Sequence, residues 1–455
     1  MRRERESVGV VLPVVLPVVL SMKGVFVGRS IGMDVHRDFC EVAIADGGRA
    51  SSAGRVATDP EQLELFAQSL AVTDRVVLEA TGNALAIARI LEPHVAEVVL
   101  AHAKQVRAIS HARVKTDKVD ARVLADLLTA GLIPAVWIGD ERVRMMRRLV
   151  SRRRGLVKRR TQIKNEIAAV LHRNLKRRPP VSDLFGVRGR AWLAEQELPV
   201  DERLTVEGCL RQLDFVGEEL GQVDRVIAEQ ALADADVLRL MTIPGIDVTT
   251  ASTLAAVIGD VRRFPSSRQL VGYLGLHPTV RQSGSHPARH GRVSKEGPAA
   301  ARHVLVEAAW SAAKSPGPLR AFAQRTAARR GRNVATVAVA RKLAVLAWHL
   351  LTRGEDYAFA RPALVARKLR ALELRAGAPR RKPGPKDNPV WTGAAREGAE
   401  RELAEQAEAA YRRMVTDWQA NGPKRGAGAT PGRASSRPSK RQAARQTTKP
   451  QRSAL

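Results

Sequence analysis

Ile31-Gly32-Met33-Asp34-Val35-His36-Arg37-Asp38-Phe39-Cys40-Glu41-Val42-Ala43-Ile44-Ala45, followed by Asp46-Gly47-Gly48, is the stretch on which the reading of the fold turns. Val35, Phe39, Val42 and Ile44 alternate with polar residues, and Asp-Gly-Gly closes the run. The pattern predicts a strand, a tight turn and a returning strand. Asp34 ends the opening strand. There the sheet fixes a carboxylate while the loop leaves it open to solvent, which is the placement a metal site needs. Taken alone, a solvated turn acid is the plainer account of Asp34; the residues downstream change that.

From Met22 to about Trp137 strand and helix patterns alternate. Arg75-Val76-Val77-Leu78-Glu79-Ala80-Thr81-Gly82-Asn83 reads as a buried strand ending in a carboxylate and a Gly turn, and Val95 to Leu100 as another short strand. Lys115-Thr116-Asp117-Lys118-Val119-Asp120-Ala121 leads into a helix, and the three-residue spacing of Asp117 and Asp120 puts both on one face. Asp34, Glu79, Asp117 and Asp120 thus all lie at strand ends or a helix start. Crowded carboxylates repel unless cations sit between them, and a pair of magnesium ions is the usual solution in phosphoryl transfer.

The chain has 455 residues, enough for two or three domains with real cores. Its 76 Lys and Arg against 46 Asp and Glu leave a formal charge of +30, which favours a polyanionic partner, most simply nucleic acid. No uninterrupted apolar run reaches the roughly 18 residues that span a bilayer, so no membrane partner is expected. Cys40 and Cys209 are too few for a disulfide framework or a zinc cluster, which fits a reducing cytoplasm. Residues 1–27 read as an N-terminal extension. Pro13 and Pro17 break its apolar run, no small-residue cleavage site follows, and Met22 is the preferred translation start.

Between Glu141 and Arg178 fifteen Lys or Arg face two Glu, a local charge of +13. Leu149, Leu156, Ile163 and Val170 recur every seven residues, predicting one long helix with a narrow apolar seam. Asp201 to Asp236 has the opposite charge, with ten acids, three bases and a seam at Leu213, Leu220 and Ile227 joined by Val216 and Val223. The two helices can pair as an antiparallel coiled coil or between subunits. The density at Arg152-Arg153-Arg154 and Lys158-Arg159-Arg160 exceeds what solubility needs and points to nucleic-acid backbone contacts.

A third section opens at Leu240-Met241-Thr242-Ile243-Pro244-Gly245-Ile246. An apolar-Pro-Gly-apolar turn before a helix looks like a helix-hairpin-helix, with Gly245 where backbone amides bind phosphate; a plain Pro-initiated helix start is the other reading. Leu274-Gly275-Leu276-His277-Pro278 follows, then a polar loop through Arg281-Gln282-Ser283-Gly284-Ser285, Arg289, Arg292 and Ser294-Lys295-Glu296-Gly297. Arg281, Arg292 and Lys295 are candidate nucleic-acid contacts. Ala299 to Trp310 and Asn333 to Leu351 read as packing helices, and the domain is expected to close near Tyr357.

"GMDVHRDFCEVAI", "VLEATGN" and "KTDKVDA" resemble the DEDD tetrad of the RuvC-like domain in the one-ten family of bacterial insertion-sequence transposases. The Pro-Gly-Ile, Leu-Gly-Leu-x-Pro, Ser-Gly and Ser-Lys-x-Gly run resembles that family's C-terminal domain. The resemblance, from about Gly32 to Tyr357, implies that Asp34, Glu79, Asp117 and Asp120 bind Mg2+ and that Ser283 is the catalytic serine, with Ser285 and Ser294 as its rivals. It also implies donor and target DNA, an element-encoded guide RNA and a homo-oligomer, dimer or tetramer. The expected architecture is an α/β RuvC-like (ribonuclease-H-type) domain over 28–138 and a helical coiled-coil linker over 139–237. A mostly α C-terminal transposase domain with a helix-hairpin-helix-like start covers 238–358. In the basic, largely disordered tail over 359–455, Ala394 to Trp418 is one charged helix, and Gly422 to Leu455 holds nine Lys or Arg and no acid. The alternatives are a stand-alone structure-specific nuclease in which the tetrad activates water, and a non-enzymatic nucleic-acid-binding protein.

Overall fold

A computed structural model describes residues 28–110, 116–284, 286–380 and 393–421, with the backbone alone for Ser110 and residues 393–396. The extension over 1–27, Lys115, Ser285 and the stretch from Gly422 to Leu455 lie outside the described residues.

Strands β1 (Ser30–Val35) and β2 (Phe39–Ala45) are the predicted hairpin, paired antiparallel with Asp34 opposite Glu41. β3 (Ser51–Ala57) adds an edge that sequence reading missed, because its polar run leaves no apolar alternation. After α1 (Pro60–Gln68) comes β4 (Arg75–Glu79), and after α2 (Ala84–Leu91) comes β5 (Glu97–Ala101); both join in parallel to give the order β3-β2-β1-β4-β5. α3 (Ala103–Ser110) and α4 (Asp117–Thr129) complete a mixed α/β domain consistent with a RuvC-like fold. Ile31, Met33 and Val35 pack with Cys40 and Val42 against α1 and α2. The opposite face of β1 receives α4. A Cβ at Gly32 would lie 2.6 Å from the Ala125 amide nitrogen and closer still to the Ala121 carbonyl, so only glycine lets the helix backbone rest on the strand.

α5 (Glu141–Arg173) and α7 (Val200–Leu232) run antiparallel, with α6 (Val187–Ala194) packed beside them. The direction follows from the ion pairs: Arg142 meets Asp234, Arg152 meets Glu219 and Arg153 meets Asp224, while Arg173 near the far end of α5 meets Glu202. Leu156, Ile163 and Ile167 interlock with Cys209, Leu213, Val216 and Leu220. The seven-residue seam is therefore real, although Leu149 packs instead against the C-terminal core. α5 ends at Arg173, so the basic run to Arg178 continues past the helix.

The C-terminal core gathers α8 (Ala235–Met241), α9 (Val248–Ile258), a 3-10 turn (Val261–Arg263), α10 (Ser267–Tyr273), α11 (Ala299–Ala312), α12 (Pro318–Arg330) and α13 (Arg332–Arg353). α13 is long and apolar enough to cross a membrane by length and composition. Here Val339, Ala340, Leu343, Ala344 and Ala347 are fully buried in the core, so packing accounts for its apolar face. Between α10 and α11 the expected polar loop is a hairpin of β6 (Pro278–Arg281) and β7 (Arg289–Val293), exposed on both faces, which is why period-two alternation gave no signal.

The chain does not stop packing at Tyr357. α14 (Pro362–Arg375) buries Leu372 in the C-terminal core, and Lys368 donates to the carbonyls of Met241, Ile243 and Ile246 at 2.7, 2.9 and 2.8 Å. α15 (Gly393–Asn421) agrees with the expected charged helix, but it is docked: buried Glu408 accepts from the Gly317 amide and pairs with Arg320, and Glu400 accepts from the Ala363 amide. Over α14 and α15 the disorder expected from 359 onwards is thus replaced by packed helix, while the stretch from Gly422 lies outside the described residues. Their burial relies on a few anchors in a charged sequence, which composition does not reveal.

Candidate metal centre and serine hairpin

Three elements bring the acids together. Asp34 lies on the α4 face of β1, and Glu79 ends β4 one residue beyond the parallel Met33–Leu78 pair. α4 starts directly above. Thr116 caps it, accepting from the Val119 amide, so that Asp117 and Asp120 fall in its first turn over the end of β1. Gly32 sets the depth of that approach.

The electrostatics register the crowding. The Asp34 side chain is 11% exposed. Burial, first, pushes its pKa above the ordinary value; His36 opposes this, and Asp120, Glu79 and Asp117 each add to it. Each of the other three acids is therefore close enough to act on Asp34. The loop after β1 is pinned from both sides: the His36 amide donates to Phe39 O at 3.0 Å, and Asn83 Nδ2 donates to His36 O at 3.0 Å. His36 Nε2 sits 3.2 Å from Asp34 Oδ2 and 3.4 Å from Asp117 Oδ2. It is buried and makes no hydrogen bond of acceptable geometry, so these contacts are electrostatic only. An oxygen-rich donor set with an orphaned polar atom beside it fits a divalent cation.

Ser283 lies in the turn of the β6–β7 hairpin, exposed, and no hydrogen bond to its hydroxyl is found among the described residues. Arg281 stands near it, paired across the hairpin with Arg289, while Arg292 lies further down β7, and all three are exposed. Lys295 is at the base, beyond the Pro278–Val293 pair, about 10 Å or more from the tip at ~3.4 Å per residue. Lys295 holds a positive φ of 59°, rare for a residue with a side chain, and its amide donates to Gly275 O at 3.2 Å. Arg302 donates to the carbonyls of Leu274, Glu296 and Gly297, so the Leu-Gly-Leu and Ser-Lys-x-Gly runs form one clasp under the hairpin. Among the described residues, no hydrogen bond or ion pair joins the hairpin to Asp34, Glu79 or Asp117.

Two sequence readings change. A Cβ at Gly245 would lie 2.5 Å from Ala308 O and 2.7 Å from Ala312 N, so Gly245 serves the close approach of α11. The start of α9 is already filled by Asp247, which accepts from the Thr250 amide at 2.8 Å, and Lys368 closes the turn from the other side. The phosphate-binding role read for Gly245 is thereby lost. In the basic run, Arg152 and Arg153 are engaged with α7 acids; Arg154, Lys158, Arg159 and Arg160 are exposed, and among the described residues none has an ion-pair partner. Sequence reading did not single out His36, although it stands two residues after Asp34 in the motif itself.

A DEDD-type family model of IS110 transposases matches residues 31–174, spanning all four acids. A second, described as the transposase IS116/IS110/IS902 family, matches residues 237–324 and spans Ser283. The chain belongs to the IS110 family of transposases. It is 30% identical over 256 residues to a protein named "Putative transposase y4qE" of Sinorhizobium fredii, covering 54% of this chain and 62% of that protein. It is 28% identical over 248 residues to the transposase for insertion sequence element IS1111A of Coxiella burnetii, covering 53% and 68%. Residues beyond 324, including α13, α14 and α15, fall outside both family models.

Proposed function

We propose that this chain is a DNA transposase that cuts and rejoins the ends of an insertion sequence in the cytoplasm. The observation that carries the reading is the convergence of Asp34, Glu79, Asp117 and Asp120 from β1, β4 and α4 in a chain of which residues 31–174 and 237–324 match two models of one transposase family. The four carboxylates would hold Mg2+. When bound, the cation supplies positive charge beside the oxygens that attack and leave phosphorus.

The chain's own residues do the rest. Ser283 Oγ attacks a phosphodiester: an Oγ–P bond forms as the Oγ–H bond breaks, a P–O bond of the strand breaks, and the proton given up by the serine passes through solvent to the departing oxygen, which becomes the free hydroxyl used for rejoining. Arg281 stabilises charge on the phosphate under attack. Arg154, Lys158, Arg159, Arg160, Arg292 and Lys295 hold nucleic-acid backbone. Because Ser283 sits on an exposed hairpin and its hydroxyl has no hydrogen-bond partner among the described residues, the tetrad of one protomer serves the hairpin of another, which makes the active form a dimer or tetramer. An RNA encoded by the element pairs with donor and target DNA and selects the sites.

A second reading, a water-activating nuclease, is favoured by one observation: the Ser283 hydroxyl has no activating partner among the described residues. A two-plasmid assay with the element ends, a target and the flanking non-coding transcript separates the readings. Joined donor–target product supports transposition. Linear cleavage products alone, with or without the RNA, would favour the nuclease.

A further inference from the structure

We propose that His36 is itself a metal ligand, a nitrogen donor beside Asp34 and Asp117 that shifts the preference of the centre from Mg2+ towards Mn2+. The inference rests on the reading of the tetrad as a metal site and adds to it a residue that the DEDD pattern does not contain.

The geometry comes first. One donor atom each from Asp34, His36 and Asp117 lies within 4.8 Å of the others. In an octahedron with bonds of about 2.1–2.2 Å, neighbouring donors stand about 3 Å apart, by the square-root-of-two relation between bond and edge. The His36 Nε2 separations of 3.2 and 3.4 Å from the two carboxylate oxygens are close to such edges. Two edges are thus in place, the third donor pair lies within 4.8 Å, and Glu79 and Asp120 are near enough to act on Asp34.

The ring is also held in place. Its backbone is fixed at both the N–H and the C=O, and Phe39 packs against it with centroids 4.9 Å apart. A histidine kept only as a counter-charge would aim an N–H at one carboxylate. Here Nε2 is buried, lies between two carboxylates and hydrogen-bonds to neither. A buried polar atom left in that state is costly, and a cation there would satisfy it.

Chemistry gives the consequence. Mg2+ takes oxygen ligands and dehydrates reluctantly, whereas imidazole suits first-row transition ions, for which Mn2+ is the mildest case that still accepts carboxylates. An all-carboxylate centre has no such bias. Adding one imidazole should favour Mn2+.

The test uses the full chain and Mn2+ as the probe. Electron paramagnetic resonance of free Mn2+ gives the affinity, competition with MgCl2 gives the selectivity, and electron spin echo modulation of the bound ion detects directly coordinated 14N. The wild-type chain should show 14N modulation from one imidazole. His36→Gln should remove it and lower the Mn2+ over Mg2+ preference by about tenfold or more, the scale of losing one ordered ligand contact. His36→Asp should restore tight binding of Mg2+ without 14N coupling. Bound Mn2+ without 14N modulation, or an unchanged Mn2+ to Mg2+ ratio in His36→Gln, overturns the proposal while leaving the tetrad intact. Failure of the wild-type chain to bind either ion, matched by Asp34→Asn, overturns the metal reading of the tetrad itself.

Discussion

Replacing Gly32 by alanine tests how the fold builds the centre, because the new methyl touches none of the acids. It would stand 2.6 Å from Ala125 N and nearer to Ala121 O, against an ordinary contact of 3.4 Å or more. Both neighbours are helix backbone and cannot swing aside, so α4 must retreat by about 1 Å, an overpacking cost of roughly 1–3 kcal/mol. That retreat carries Asp117 and Asp120 away from Asp34, beyond the roughly 0.5 Å that a coordination site tolerates. A misplacement of ~1 Å costs on the order of a hundredfold in rate. Two assays on one preparation suffice: a urea midpoint for the fold and Mn2+ titration for the centre. We expect a lower midpoint and Mn2+ binding weakened at least tenfold. Wild-type metal affinity in Gly32→Ala would refute the claim that strand-to-helix contact sets the spacing of the tetrad.

Asp34→Ala, Glu79→Ala, Asp117→Ala and Asp120→Ala should each abolish DNA cleavage on a gel without unfolding the chain, since each removes a charge that repels its neighbours; wild-type cleavage in any one removes that residue from the centre. Truncation after Tyr357 strips Lys368 from three carbonyls and Glu408 from α12, so a lower denaturation midpoint is expected, and an unchanged one would mean that α14 and α15 are dispensable. Asp34 has a raised folded pKa, chiefly from burial, so its contribution to the metal-free chain is complete at pH below its unfolded value and is lost as pH rises through the folded one. Metal binds the carboxylate form, so stabilisation by MnCl2 should grow as pH rises from about 4 to about 7, read by thermal melts; growth towards acid would contradict the assignment.

Much of this was legible where patterns are local. The Asp34 hairpin, the Glu79 strand and the helix carrying Asp117 and Asp120 follow from alternation and spacing, and the paired seams of α5 and α7 follow from seven-residue recurrence. What stayed hidden depends on contacts distant in sequence. The Pro244-Gly245 turn reads as an open phosphate site until α11 and Lys368, more than fifty and more than a hundred residues away, are seen to enclose it. Arg152 and Arg153 look free until α7 is laid beside them. The β6–β7 hairpin has no buried face to write a pattern, and His36 acquires meaning only when α4 brings Asp117 to it.

The central claim is that the tetrad and Ser283 act in one reaction, and trapping the covalent intermediate tests it most directly. Element-end DNA, the flanking transcript and divalent metal are incubated with the chain, quenched in denaturant, digested and analysed by mass spectrometry. The account predicts a phosphoserine-linked nucleotide on the peptide containing Ser283, absent in Ser283→Ala and absent in Asp34→Ala although the latter keeps Ser283. DNA cleaved in an Asp34-dependent manner with no protein adduct, and cleaved equally by Ser283→Ala, would contradict it and leave water as the nucleophile.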